Sequence, residues 1–398
     1  MSLPLHGLRV LAVEQYGAGP FGTQHLADLG AEVIKIENHR TGGDYARALG
    51  PYFVEGAQDD DGSLFFQSVN RNKKSLTLDL GNAQAREIFE RLASGADAVA
   101  NNLRGDVPEK LGLTYDALKN VNPAIVCAHC SAFGREGPRR NWPGYDFLMQ
   151  AEAGYFQMSG EPNTPPTRMG LSVVDFMAGT YLALGLVSGV LGARATGQGR
   201  DIDVNLYDTA LYNLSYLSAW ALNTDYDPAR VARSAHASLV PCQLYCTADG
   251  WIFIMCNKEK FWSALCQEIG KPEFADDPRF ATFKDRLAQR DTLTDLIDRA
   301  LSASTTDDWL SRLQGKVPVA PVRTPREALH DSDLARRGKI ASVPLRNGAE
   351  YHLLTAPIQA GEPRQKACSP MGFDTDAILR EAGFSEDEIA EFRRANLI

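Results

Sequence analysis

Cysteine is scarce in this sequence: seven residues among 398, an odd number spread along the chain. That excludes a dense disulfide framework and points to a reducing compartment, so a cytoplasmic location is expected. Histidine is equally scarce, seven in all, and no two stand in an H-x-x-x-H or H-E-x-x-H arrangement. The common zinc-hydrolase pattern is therefore missing. Cys127 and Cys130 look like half of a metal site, but Cys242 and Cys246 have a different spacing and do not complete it. On a strand the first two thiols would point to opposite faces, so they are expected to be buried and structural, with no metal. No G-x-S-x-G elbow occurs. Positive charge is also short, 41 Lys+Arg against 50 Asp+Glu for a net charge of −9. Non-specific nucleic-acid binding is not expected, because phosphates need a cationic surface. The opening residues lack a charged region followed by an apolar core, so no signal peptide is expected.

Long apolar runs are nearly absent. Residues 176–193 form the exception, uncharged throughout and at the lower length limit for crossing a bilayer. Asp175 and Arg194 bound this run, four glycines interrupt it, and no Trp belt or Lys/Arg bias flanks it. It reads as a helix buried on all sides in a large core, and no membrane partner is expected.

What is present is ordinary globular composition, 44% hydrophobic and 23% charged, at a length that suggests two or three domains. Residues 8–13, 32–36, 75–80, 97–100 and 124–130 are short runs rich in Val, Ile and Leu. Helical patterns at 23–29, 83–93 and 107–119 separate them. Parallel strands need crossovers of this length, so the fold class is α/β with a doubly wound, Rossmann-like parallel sheet. A further strand is expected at 201–206 and a helix at 207–222. Residues 1–222 form the large α/β domain. Residues 223–238 are polar and irregular, and 243–256 read as a hairpin around Ala248, Asp249 and Gly250. Residues 223–330 are thus a smaller α+β domain, with a helix near 306 capped by Thr306 or Asp307. Thr324 and Glu327 have capping-box spacing with Pro325 between them. Residues 331–398 form a C-terminal segment ending in two short helices.

Two features carry chemistry. Gly17, Gly19 and Gly22 fit G-x-G-x-x-G after the first strand, and Glu37 ends the second strand about twenty residues on. That is a dinucleotide-binding context, although no hydride-transfer set accompanies it, and a glycine turn before a helix suits any phosphate-bearing ligand. Asp175 stands between Val174 and the apolar run, where an ionised group loses its hydration unless compensated. It is either a functional carboxylate or a cap on the positive end of the helix.

Several segments together resemble the class III CoA-transferases, the family of formyl-CoA:oxalate and carnitine CoA-transferases. They are Gly7–Leu11, Ala18–Pro20, Leu29–Glu37, Asn70–Ser75, Leu111–Leu113, Gly144–Asp146, Asp175, Gly197–Val204, Asp249–Gly250 and Val317–Val322, in family order. The resemblance implies an interlocked homodimer and a large domain completed by the C-terminal segment. It implies no tightly bound cofactor, a coenzyme A thioester as substrate, and a carboxylic acid as acceptor. Asp175 occupies the place of the nucleophilic aspartate, which attacks the thioester to give a mixed anhydride and then an aspartyl-CoA thioester. Amides at the start of its helix are expected to stabilise the oxyanions. Tyr16, Gly17 and Ala18 match the turn that contacts pantetheine, with glycine where formyl-CoA transferase has glutamine. Asn102, Leu103 and Lys110 match adenine- and phosphate-side positions, and Lys74 a basic contact. Asn38 replaces a family arginine, for which His39, Arg40 or Arg104 is expected to substitute. Arg71, Arg168 and His236 are further cations considered for an anionic acceptor. Tyr145 and Asp146 match an aromatic–acid pair near the nucleophile, and residues 234–240 lack the glycine-rich lid. The related α-methylacyl-CoA racemases carry a histidine where Tyr145 stands, and a phenol is a poor base at neutral pH. CoA transfer is therefore expected. A racemase-like isomerase, an NAD-dependent dehydrogenase and a non-catalytic CoA-binding protein are the alternatives.

Overall fold

The computed structural model describes residues 2–57, 62–362 and 364–398. The chain divides into two compact units: one takes Met1–Ala153, Met169–Leu222 and Leu334–Ile398, the other Gly154–Arg168 and Asn223–Asp333.

The first unit is built on a six-stranded sheet. Its strands are β1 (Arg9–Val13), β2 (Glu32–Glu37), β3 (Lys74–Thr77), β4 (Ala98–Asn101), β5 (Val126–Ser131) and β6 (Arg200–Asn205). All pairings are parallel, and the spatial order is β3-β2-β1-β4-β5-β6. β1, β4 and β5 are almost wholly buried. Helices cover both faces of such a sheet, so these three strands are buried along their length rather than at alternate residues. On one face helix Ala83–Ser94 places Ile88, Phe89 and Leu92 in a core shared with Ile378, Leu379, Ile389 and Leu397 from the C-terminal helices. The tail thus completes the core of the first unit. It also supplies strands β10 (Ile340–Pro344) and β11 (Glu350–Leu354), an antiparallel pair that periodicity did not reveal.

The other face carries the first helix, Ala18–Asp28, and the long helix, Val173–Thr196. These two meet through backbone. A Cβ added to Gly22 would lie closer than 3.0 Å to the Gly179 carbonyl oxygen, and one added to Gly179 would strike the Ala18 carbonyl. Only glycine permits that approach. The long helix is not buried on all sides as its sequence suggested. Val174, Leu182, Leu186 and Val190 face inward, while Leu184 and Leu191 are 62% and 64% exposed. By length and composition alone it is long and apolar enough to cross a membrane, as core helices also can be.

Two helices expected to be continuous are broken. The 107–119 pattern stops at Lys110 and resumes at Tyr115, across Gly112 with φ of 73°. The 207–222 pattern divides into Leu206–Tyr212 and Tyr216–Asn223, with Ser215 at φ of 51° between them.

The second unit holds a three-stranded antiparallel sheet: β7 (Cys242–Cys246), β8 (Trp251–Met255) and β9 (Val319–Pro321). Tyr245, Ile252, Trp262, Leu293, Ile297 and Trp309 fill its core. Thr324 and Glu327 form the expected capping box ahead of helix Pro325–Leu329. The helix Thr306–Leu313 is capped by Thr305, one residue before the expected cap.

Candidate functional site

In a sheet ordered this way the chain runs outward from β1 through β2 and β3, then returns to β4 on the other side of β1. Loops after β1 and β4 therefore diverge and leave a crevice at the carboxyl ends of the strands. Two cavities lie there. One, of about 230 Å³, is lined by Tyr16, Gly17, Ala18, Asn102, Tyr145 and Asp175, among others. The other, of about 290 Å³, is lined by Ile36, Asn38, Asp44, Leu78 and Asp79. Gln15 and Leu103 line both.

Asp175 is the third residue of the long helix and only 5% exposed. It does not cap that helix. Asp146, buried at the start of helix Asp146–Glu152, accepts the Val174 and Asp175 amides through Oδ2 at 2.6 and 3.0 Å. The dipole end is thereby occupied, and the amides expected to serve as oxyanion donors are already committed. Asp175 accepts no hydrogen bond among the described residues and has no cation beside it. Burial, with the Asp146 carboxylate adding repulsion, pushes its carboxyl up to about 7.

The glycine fingerprint serves this geometry. A Cβ at Gly17 would lie closer than 3.0 Å to Asp175 Oδ2, and one at Gly19 would stand 2.8 Å from the Asn102 side chain. With Gly22 against Gly179, all three glycines answer to close packing. The first helix keeps free donors at its start: the Ala18 and Gly19 amides meet no acceptor among the described residues, and Ala18 lines the smaller cavity.

The turn ahead of it is strained. Tyr16 has φ of 68°, unusual for a residue with a Cβ. Its amide donates to Asp44 Oδ1 at 3.0 Å, and Asp44 Oδ2 lies 2.8 Å from Lys35 Nζ, both side chains fully buried. Alongside, Lys73 donates to Glu14 Oε1, the Pro20 carbonyl and Asn70 Oδ1 at 2.7 to 2.9 Å. Arg47 forms a fork on Glu37 at 2.8 and 2.7 Å. The sequence reading missed this network. Its signal was Lys35, a charge in the middle of a strand between Ile34 and Ile36.

Aromatic rings flank the same turn. Tyr16 stacks on Tyr45 with centroids 5.1 Å apart and 13° between planes, and meets Tyr145 edge-on at 6.4 Å. Tyr45 and Trp142 also line the cavity and were not anticipated.

Other expected residues divide into those near the crevice and those away from it. Arg104 lines the smaller cavity, with Nε and Nη2 on Asp106 at 2.5 and 3.1 Å, and Lys110 also binds Asp106. These two cations hold the Asp106 carboxyl well below the usual range. His39 and Arg40 form a single turn between Asn38 and Thr41, both of which line the larger cavity; Arg40 reaches Asp79 at 3.4 Å. His39 Nε2 contacts Asn396 Oδ1 at 3.2 Å. Lys74 is not brought to the crevice. It opens β3 at the amino end of the strand, away from the carboxyl end that leads to Leu78 and Asp79 on the larger cavity, and pairs with Glu32. Arg71 is buried on Asp28 at 2.5 and 2.8 Å and lines neither cavity, and Arg168 and His236 belong to the second unit. All seven cysteines are free thiols, six of them buried. No group of three or more His, Cys, Asp or Glu able to hold a metal occurs among the described residues. No histidine is among the described residues of the Asp175 cavity. His129 sits within the sheet between Asn101 and Asp201.

The model of CoA-transferase family III matches residues 5–375. The chain belongs to that family. It is 36% identical over 340 residues to the acetyl-CoA:oxalate CoA-transferase of Acetobacter aceti, covering 85% of each. It is 31% identical to the succinate–glutarate CoA-transferase of Agrobacterium fabrum, covering 89% of each. Among solved structures it resembles a CAIB/BAIF family protein from Brucella suis, with TM-score 0.81, 31% identity, and coverage of 96% of this chain and 100% of that one. A Mycobacterium tuberculosis protein aligns with TM-score 0.83 and 30% identity over 95% and 99%. The protein is thus a transferase that moves CoA between an acyl-CoA thioester and a carboxylic acid.

Proposed function

We propose that Asp175 is the covalent carrier of this transfer. The observation that carries the reading is a buried carboxylate with no counter-ion, facing a cavity and packed against a glycine whose missing side chain makes room for the carboxylate itself. A desolvated carboxylate is a stronger nucleophile than a hydrated one, and a carboxyl near 7 is substantially ionised at neutral pH. One Asp175 oxygen attacks the thioester carbonyl. The carbon–sulfur bond breaks to give a mixed anhydride and CoA thiolate. The thiolate then attacks the Asp175 carbonyl, the donor carboxylate leaves, and the aspartyl-CoA thioester remains. An acceptor carboxylate reverses the steps. Each attack places negative charge on a carbonyl oxygen, and the uncommitted Ala18 and Gly19 amides are the donors we assign to it. Water must be kept out, since it would hydrolyse either intermediate.

The larger cavity is assigned to the nucleotide end of CoA. Asn38, Leu103 and the adjoining His39 and Arg40 would meet adenine and phosphates, and pantetheine would pass Gln15 and Leu103 to the thioester site. The active unit is assigned as an interlocked homodimer. Support comes from the family resemblance and from Leu184 and Leu191, exposed on the long helix. A cytoplasmic location is supported by the free thiols.

The test is peptide mapping after incubation with a competent acyl-CoA. Mass spectrometry should find CoA on Asp175 alone, and Asp175→Ala should bind CoA without accepting it. Full transfer by that variant would overturn the assignment.

A further inference from the structure

We propose that the acyl group handled at Asp175 is aromatic and derives from a monocarboxylic acid, and that Tyr45 selects it. The inference rests on the reading of the Asp175 cavity as the transfer site.

Four aromatic rings, Tyr16, Tyr45, Trp142 and Tyr145, are among the residues that line this cavity, with Pro143, Ala132 and Leu206 adding apolar surface. Tyr45 is 45% exposed even while stacked on Tyr16, so part of its ring has no protein neighbour. Tyr145 stands nearly perpendicular to Tyr16, offering an edge where Tyr45 offers a face. Faces and edges at right angles are the surroundings in which aromatic rings pack best. Space suffices as well: a cavity of about 150 Å³ holds benzene, and this one is about 230 Å³.

Charge argues against a second carboxylate on the acyl group. Arg104 is the only cation among the described lining residues, and it is forked onto Asp106. Asp175 lines the cavity and the Asp146 carboxylate lies close to it, so the acidic groups at this end of the cavity repel a further anion. A distal carboxylate would lose its hydration beside them without a counter-ion, which is costly even at partial burial. Short dicarboxylates are therefore disfavoured twice, by missing partners and by like charge.

The experiment mixes the enzyme separately with phenylacetyl-CoA, hexanoyl-CoA, succinyl-CoA and glutaryl-CoA, with no acceptor present. Intact mass follows formation of the aspartyl-CoA thioester as each acid leaves. Phenylacetyl-CoA should load at least about tenfold faster, at subsaturating concentration, than either dicarboxylyl thioester. In Tyr45→Ala that rate should fall about tenfold, mainly through a higher half-saturating concentration, while hexanoyl-CoA changes far less. Tyr45→Phe should load like the parent, because the ring rather than the hydroxyl is used. Succinyl- or glutaryl-CoA loading as fast as phenylacetyl-CoA would overturn the proposal. So would a Tyr45→Ala loss that is equal for all four donors. Failure of every donor to load would refute the Asp175 reading itself, and this inference with it. If Tyr45→Ala does not fold, the donor ranking of the parent enzyme decides alone.

Discussion

Glu37 and Asp175 lie at similar depth in the same unit, 2% and 5% exposed, yet their carboxyls are driven in opposite directions. Burial alone would raise both. At Glu37 the Arg47 fork, with Lys35 and the Ser75 hydroxyl, outweighs burial and brings the carboxyl down to about 2. At Asp175 nothing opposes burial, and the Asp146 carboxylate adds to it, so the value climbs to about 7. The difference lies in company rather than depth. Every acid beneath the Tyr16 turn has a cation: Glu14 has Lys73, Asp44 has Lys35, Glu37 has Arg47. The acid above the turn has none. A neutralised foundation holds a strained turn in place, and the turn presents Gly17 to a carboxylate that has no counter-ion.

The comparison can be broken from the paired side first. Lys73→Met removes the cation from Glu14 while keeping volume, leaving a buried acid served only by Thr23 and the more distant Lys35. Breaking a buried pair by removing one partner costs about 3–5 kcal/mol, so denaturant unfolding should show a loss of that size or a chain that no longer folds.

The unpaired side should respond with the opposite sign. The fold holds the Asp175 proton more tightly than the unfolded chain does. That contribution to stability is complete below the unfolded value near 4 and is lost as pH rises through about 7. Asp175→Asn should consequently be more stable than the parent at pH 8, by on the order of 4 kcal/mol at most. The difference should vanish near pH 4. Urea midpoints across that range check the sign, and a variant less stable at pH 8 would show that Asp175 is structurally compensated after all.

Gly17→Ala acts between the two regions. Its methyl group would displace the Asp175 carboxylate, and a misplacement near 1 Å costs about a hundredfold in rate. Transfer should drop by that order in steady-state assays while the melting temperature moves only a few degrees.

Much of the sheet was legible in the sequence because parallel strands buried on both faces leave short, mostly apolar runs, as 124–130 and β5 illustrate. The glycine fingerprint was found but its reason was not. Spacing reveals where glycines stand, and only the fold shows that Gly17 meets Asp175, Gly19 meets Asn102 and Gly22 meets Gly179. Asp175 stood out as a charge at the edge of an apolar helix, but its alternative role as cap was settled by Asp146, twenty-nine residues away in sequence. Lys74 was drawn toward the site by local resemblance, whereas its position at the start of β3 puts it at the amino end of the strand, away from the crevice. Tyr45 and Trp142 left no periodic trace, since both lie in loops or single turns. The break at Ser215 was hidden because its residues are good helix formers on both sides.

The central claim is that an unpaired Asp175 carboxyl must lose its proton before it attacks. The direct measurement is the single-turnover rate of CoA loading onto Asp175 between pH 5 and 9, for the parent enzyme and Asp146→Asn. The parent should show a limb that rises with pH through an apparent pKa near 7. Asp146→Asn keeps an acceptor for the helix amides but removes the repelling charge, so its limb should move to lower pH. A rate already flat above pH 5, unmoved by Asp146→Asn, would mean that Asp175 is ionised and paired like Glu37, and would contradict the account.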